Sequence, residues 1–526
     1  MAVANEAPDF PVTWDDPADA ETCWRHDREH LPFAVPPLHF DVNLCPFLEG
    51  FGFWNARPKY ANYYMFFPMG APSGSGGSSG PPPASVESLR EAARRWHEEI
   101  VPEVVGYVDH YRTTDFDALS SEALASEVER LREVRHRSGE LHTLAIMPGY
   151  TGMTFLIETY KELTGGDDLS ALRLVQGYGN KSVEAGEGLW RLARLAETMP
   201  AVAGRLASVD GDSAMQCLAD LEADPAAAPF LEAFRAYLDE FGWRDDFSAP
   251  TWAERPTVPL TMLRAYIEAK DYDHPAEQRR LAEERETALA ETLAKLSPDD
   301  RKRLEDAQSA ARGVAILSED HNYYIDQRLQ TMPRRLVLAA GRRLMSQGAL
   351  ADPNDVFHLH AAEITGSLRG NGAALSETAP RRKEELAYWR GITPPSYIGA
   401  PPPVGLDSGH SSTPREPERK GDLRGLGASS GVVRGPARIV PTLADSHRLR
   451  PGDILVTSVT QPPWTPLFAI ARAVVTEVGG VLGHTAIVAR EYGIPAVLAV
   501  PDAMRRLQDG ALIEVDGAAG VVRVVA

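Results

Sequence analysis

Apolar residues recur at three- and four-residue spacing through five long stretches: "VESLREAARRWHEEIVPEVVGYVDHY", "LSSEALASEVERLREVRHRSGELHTLAI", "VEAGEGLWRLARLAETM", "FLEAFRAYLDEFG" and "HPAEQRRLAEERETALAETLAKL". Charges fill the intervening positions, so each predicts an amphipathic helix with one buried face. After about residue 420 the texture changes to short Val/Ile-rich runs bounded by Gly, Pro and Asp: "GVVRGPARIV", "GDILVTS", "ARAVVTEV", "IPAVLAV", "ALIEVDG" and "GVVRVVA". These read as strands, interrupted by two helical pieces, "PLFAIAR" and "HTAIVAREYG". A Gly/Ser/Pro loop over 69–85 and a Pro-rich linker over 396–420 punctuate the chain. The pattern predicts a mostly helical body over 1–395 and a compact α/β unit over 421–526.

Composition narrows the partners. With 526 residues and 43% apolar content, roughly two to four domains with real cores are expected. The net charge of -20 argues against nucleic acid and against an anionic membrane surface. The first twenty residues lack a signal-peptide pattern and no run of about eighteen apolar residues occurs, so a cytoplasmic protein is expected. Three cysteines, Cys23, Cys45 and Cys217, suit a reducing compartment. Cys23, His26 and His30 stand at i, i+3 and i+7, with His39 and Cys45 following; the spacing fits one face of an amphipathic helix and no closed zinc motif, so no metal site is expected. Neither GxxxxGK[ST] nor a strand-to-helix GxGxxG occurs, which leaves no recognisable ATP site. "GASSG" at 427–431 matches GxSxG but precedes a strand and lacks the elbow that exposes a nucleophilic serine.

"TEVGGVLGHTAIVAREYGIPAV", Thr476 to Val497, carries the clearest chemistry. It reads as a strand, a glycine turn, then a helix opening at His484 and stopping at Gly493 before Pro495. A histidine there meets unpaired amides and the positive end of the helix dipole, the setting in which phosphate is most often held. Gly479, Gly480 and Gly483 clear the approach of a large donor. An imidazole is a competent nucleophile near neutral pH without a dedicated base, so His484 is a candidate phosphoryl carrier. The plainer alternative is a helix-capping histidine with no chemistry.

The segment closely resembles the phosphohistidine signature of the swivelling domain in phosphoenolpyruvate-synthase-like enzymes, the group that includes pyruvate phosphate dikinase and rifampin phosphotransferase. Thr476, Gly479, Gly480, His484, residues 486–491 and 493–497 match it; Gly483 replaces the usual serine, and Thr485 is the candidate to replace that hydroxyl. "GASSGVVRGPARIV" and "GDILVTSVTQPPWTPLF" extend the resemblance over 421–526. More weakly, "WRHDREHLPFAVPPL", "QGYGNKSVEAGEGLWRLA", "FGWRDDFSAPTWAERP" and "GRRLMSQGALADPNDVFHLHAAEI" resemble the acceptor-binding region of the rifampin phosphotransferase group. The resemblance implies a dikinase-type phosphotransferase, ATP to AMP plus phosphate, in which a separate ATP-grasp-like subunit binds ATP and Mg2+ and loads His484. Such a split system is similar to phenylphosphate or 4-methylphenyl phosphate synthase, with a small phenol such as 4-cresol as acceptor. A bulky rifampin-like antibiotic is the second acceptor class, and a non-catalytic scaffold the third reading.

A phenol is mostly protonated at neutral pH, so its attack on phosphohistidine needs a base and a cation. "LSEDHNYYIDQR", Leu317 to Arg328, is the densest polar cluster of the body. As an α-helix it sets His321 and Arg328 on one face and Glu319, Tyr323 and Asp326 on another. His321 or Asp320 is the candidate base. Arg328, with Thr476, Gly479, Gly480, Gly483 and Thr485, is a candidate phosphate ligand, while Glu319, Tyr323, Asp326 and His142 are candidate acceptor contacts. A surface helix laced with ion pairs is the alternative.

Overall fold

The computed structural model describes residues 10–28, 30–52, 57–69, 84–244, 246–371, 375–402 and 422–525. Most of the 69–85 loop and of the 396–420 linker lies outside these residues. The predicted amphipathic segments form the helices Val86–Arg95 and Val101–Thr113, Ser121–Thr164, Lys181–Glu197, Ala228–Phe241 and His274–Leu293. The longest is the spine of the body. Ser120 opens it by accepting the Ala123 N–H, and Gly165 closes it in the left-handed conformation at φ 69. At ~1.5 Å per residue its 44 residues run about 66 Å.

Two glycines on this spine decide how the site region sits. A Cβ on Gly149 would lie 2.2 Å from Ser318 Oγ, and one on Gly152 2.4 Å from Val314 Cγ2. Without them, the helix Pro298–Ala315 and its continuation Leu317–His321 lie directly on the spine. The continuation then widens into a π-helical segment, Asn322–Arg328. That replaces the expected regular α-helix. With about 4.4 residues per turn in place of 3.6, residue i+5 returns over residue i, so Asp326 comes to face His321 and not the opposite side.

A small antiparallel sheet caps the body, made of β1 (Cys23–His26), β2 (Lys59–Ala61), β3 (Tyr64–Met69) and β4 (Tyr397–Gly399) in the order β2-β3-β1-β4. Cys23–His26 is thus a strand, which overturns the expected helical face; its ladder partners come from residues 66–69 and 397–399, beyond the reach of local spacing. β4 falls at the start of the stretch read as linker. The cysteines Cys23, Cys45 and Cys217 are free and buried. No helix among the described residues is long and apolar enough to cross a membrane.

The C-terminal unit is an eight-stranded sheet: β5 (Leu423–Arg424), β6 (Leu426–Ser429), β7 (Val432–Ile439), β8 (Ile454–Thr457), β9 (Ala473–Thr476), β10 (Ala496–Leu498), β11 (Leu512–Asp516) and β12 (Val521–Val524). The order is β5-β12-β11-β7-β8-β9-β10-β6, with β7 to β10 mutually parallel. β8, β9 and β10 are buried at every position, which explains their unbroken apolar runs. The short helix His484–Glu491 follows β9, so His484 sits beyond the carboxyl end of a parallel strand, where open α/β sheets place ligands.

One hydrophobic core runs across both units. It joins Val183, Leu189 and Tyr266 of the body to Trp464, Leu467, Phe468 and Tyr492. Tyr266 Oη donates to the Pro466 carbonyl at 2.8 Å, and Gln278 Nε2 to the Glu491 carbonyl at 2.9 Å. Arg264 donates to the His447 carbonyl. A Cβ on Gly186 would meet Tyr492 Oη at 2.1 Å, so this glycine admits the tyrosine. Gly186→Leu overfills that contact at a cost of about 1–3 kcal/mol. It is expected to undock the C-terminal unit while leaving helix content unchanged. Small-angle scattering with far-ultraviolet circular dichroism checks this, and a variant as compact as wild type contradicts it.

Candidate active site

His484 begins its helix after Gly483, the N-cap, and its imidazole bridges the two units. Nδ1 lies 2.9 and 3.1 Å from the two carboxylate oxygens of Glu319. Glu319 is fully buried, and its Oε2 also accepts from Ser182 Oγ at 3.0 Å. A carboxylate only accepts, so Nδ1 carries the ring proton and Nε2 presents its lone pair. Thr465 Oγ1, at 3.4 Å, points its hydroxyl toward Nε2. With a side chain 14% exposed, the ring is sheltered yet reachable. This arrangement leaves Nε2 as the ring nitrogen with the free lone pair.

A second helix end meets the same spot. Asn180 caps Lys181–Glu197 through the Val183 N–H, and the Lys181 N–H donates to Asp320 Oδ1 at 2.8 Å. Burial pushes the Asp320 carboxyl up to about 7, with the Lys181 N–H bond opposing that rise. The Lys181 ammonium lies 5.2 Å over the Tyr323 ring and pairs with Glu184 at 2.7 Å. Tyr323 Oη donates to Glu240 at 2.6 Å and accepts from Arg328 at 3.2 Å. Glu319, Asp320, Tyr323 and Arg328 therefore lie along one polar seam with Lys181 and Ser182. Glu491, seven residues after His484, accepts the N–H groups of Gly177 and Gly179 at 3.0 and 3.1 Å, and burial raises it to about 7.

Several expected residues go elsewhere. His321 is 3% exposed; its Nδ1 donates to the Leu317 carbonyl at 2.7 Å and its Nε2 lies 3.4 Å from Asp326. His142 Nδ1 donates to the other oxygen of Asp326 at 3.0 Å, and Phe51 stacks on the His142 ring. His321, His142 and Asp326 thus bond to one another and not to the seam that holds Glu319 and Asp320. Their ligand atoms lie within 4.8 Å of one another, close enough to share a metal ion. Burial raises Asp326, but His142, His321 and the buried Arg135 outweigh it and hold the group at about 2. Thr476 Oγ1 donates to the Val478 carbonyl at 2.7 Å, and the Thr485 and Thr460 hydroxyls bond each other at 2.8 Å. The Thr476 hydroxyl is thus committed to the turn, while the Thr485 hydroxyl pairs with one outside it. Gly479, at φ 136, and Gly480, with open space where a Cβ would stand, keep the approach clear.

Sequence reasoning missed Thr465, Ser182 and Lys181 as site residues. They come from three separated segments, and only the tertiary packing joins them.

Residues 141–319 match the model of the rifampicin phosphotransferase fourth domain, and residues 449–520 that of the PEP-utilising enzyme mobile domain. The class is therefore a PEP-utilising mobile domain joined to a rifampicin-phosphotransferase-type domain, with Glu319 at the edge of one match and His484 inside the other. Among curated proteins, the chain is similar to chondramide synthase cmdD of Chondromyces crocatus, at 32% identity over 98% of this chain and 14% of that protein. It is also similar to the uncharacterized phosphotransferase YvkC of Bacillus subtilis (29%; 80% of this chain, 51% of that one). The rifampicin phosphotransferase of Streptomyces sviceus is 30% identical over 73% of this chain and 44% of its own length. The chain thus spans about half or less of each of these relatives.

Glu319→Ala is expected to leave the His484 ring free to change tautomer and to lower the rate of phosphoryl gain at Nε2 by about 10²-fold. Glu319→Gln keeps an acceptor for Nδ1–H and restores part of that rate. Nitrogen-15 NMR of His484 reads the tautomer directly; an Nδ1 lone pair in the wild type contradicts the assignment.

Proposed function

We propose that this chain is the carrier and acceptor-binding part of a phosphohistidine phosphotransferase. The observation that carries the reading is His484 at a helix N-terminus, its Nδ1 held by Glu319 and its Nε2 lone pair beside the Thr465 hydroxyl. An ATP-binding unit outside these residues, an ATP-grasp-like subunit in the split arrangement, supplies the phosphoryl group with Mg2+. ATP and water become AMP and phosphate as the Nε2–P bond forms. The C-terminal unit then docks as described and presents phospho-His484 to the polar seam.

There an acceptor hydroxyl attacks phosphorus. The new O–P bond forms as the Nε2–P bond breaks, the electron pair returns to Nε2, and the hydroxyl proton passes to Asp320. A base with a pKa near 7 is matched to that task, since it is partly ionised at working pH and still basic enough to accept. Glu319 keeps Nδ1–H in place throughout, so the leaving ring departs as neutral imidazole. The acceptor is a small phenol such as 4-cresol, supported by the Tyr323 and Tyr324 rings, 4.8 Å apart beside Lys181. A bulky rifampin-like hydroxyl compound is the second reading, favoured by the match over 141–319.

Incubation with the ATP-binding unit, ATP and Mg2+ is expected to place one acid-labile phosphate on the wild type and none on His484→Ala; equal labelling of the two overturns the reading. Loaded protein challenged with 4-cresol and with rifampicin separates the acceptor classes by which one discharges His484. Transfer to the acceptor is expected to fall about tenfold per pH unit below pH 7 and to level off above it, because Asp320 must be ionised to accept the proton. Asp320→Asn is expected to abolish that dependence along with about 10²-fold of the rate. An Asn variant with the wild-type pH profile removes Asp320 from the mechanism.

A further inference from the structure

Arg244 is 1% exposed, and among the described residues no carboxylate lies against it. Its Nε and Nη2 have no hydrogen-bond partner, and its Nη1 makes one long contact, 3.5 Å, to the Pro462 carbonyl. Around the guanidinium stand the rings of Phe241 and Trp252, centred 5.5 and 5.6 Å away. The Tyr237 and Tyr492 hydroxyls, both buried, also have no partner. Burial holds these phenols well above their usual range, so they remain O–H donors. Three neighbouring side chains therefore offer hydrogens and nothing accepts them.

A buried cation without an anion costs several kcal/mol, and native structures keep one only where something offsets it. The location says what does. Pro462 and Thr465 belong to one 3-10 helix, Pro462–Ala469, and are three residues apart, so they eclipse each other on one side of a single turn about 6 Å long. One end of that turn touches Arg244 and the other touches His484 Nε2. Tyr492, the C-cap of the helix that His484 opens, belongs with Pro462 to the C-terminal unit, and its hydroxyl is felt electrostatically by Arg244.

We infer that Arg244, with the hydroxyls of Tyr237 and Tyr492, forms a built oxyanion site that grips the phosphoryl group while His484 carries it in the docked state. The ligand class is a tetrahedral phosphoryl oxyanion, and the site is completed only by docking, since Tyr492 and Pro462 come from the C-terminal unit. The inference deepens the proposed function and rests on it. Arg328, the cation expected from the sequence, donates to Tyr323 and has one unpaired nitrogen, Nε; Arg244 takes that role because two of its nitrogens are unpaired and its Nη1 touches the turn that holds His484.

The test uses the full chain and Arg244→Met, which keeps much of the side-chain volume without the charge. Inorganic phosphate is expected to raise the Tm of the wild type and not that of the variant, and the variant alone is expected to melt no lower than the wild type, because an unpaired buried charge has gone. Discharge of phospho-His484 to the acceptor should drop at least 10²-fold in Arg244→Met. Arg244→Lys, a point charge without the planar fork, should recover only part of it. A variant that melts lower and still responds to phosphate shows a structural arginine and overturns the inference, as does a wild type indifferent to phosphate. A wild-type rate of discharge in Arg244→Met also overturns it, and leaves the phosphohistidine reading standing. Failure of the wild type to label overturns that reading instead, while the phosphate-dependent Tm shift still reports on Arg244 separately.

Discussion

The contact between the Glu319 carboxylate and His484 Nδ1 joins structure to chemistry in this molecule. Glu319 has no exposed surface, so its charge must be answered by donors from protein, and two supply it: Ser182 from the body and His484 from the C-terminal unit. Docking and ring orientation are consequently the same event. The choice of nitrogen follows. A phosphoryl group on Nε2 leaves the Nδ1–H in place, so the loaded and unloaded forms dock through one identical bond; a group on Nδ1 would remove the donor and expel the carrier from its station.

The same economy appears in the pair of helix ends that frame the seam. The helix Lys181–Glu197 directs one amide to Asp320, and His484–Glu491 opens beside Glu319. Positive helix ends stabilise neighbouring negative charge. Consecutive carboxylates, Glu319 and Asp320, can therefore stand in one buried place with different partners: Glu319 holds the His484 ring, and Asp320, raised by burial to about 7, accepts the Lys181 N–H. The extra residue of the π-helical segment sends His321 and Asp326 away toward His142, separating this pair from the seam.

Much of the C-terminal unit was legible because buried parallel strands announce themselves as unbroken Val/Ile runs, and because Gly479, Gly480, Gly493 and Pro495 mark the ends of the turn and helix that carry His484. The body's long helices were legible for the analogous reason of period. Strand Cys23–His26 was not: Cys23 and His26, with His30 beyond the strand, mimic helical spacing, and the pairing that makes the strand comes from residues 66–69 and 397–399. The π-helical segment was equally hidden, since α spacing and π spacing differ by less than one residue per turn and packing on the spine decides between them. Lys181, Ser182 and Thr465 carry no local mark of function, and Arg244 is one arginine among many until its buried, unpaired Nε and Nη2 are seen.

The shared core of Trp464, Leu467, Phe468 and Tyr492 bears on how a carrier travels. Leaving the body bares these side chains to water, at a cost of about 25 cal/mol for every Å² of apolar surface uncovered. Under the proposed carrier mechanism a shuttling domain cannot bear that cost for long, so its other stop must be lipophilic in the matching places. The proposed loading unit is thereby constrained in shape as well as in chemistry: it must offer a berth that reproduces the body's oily face around a different reagent.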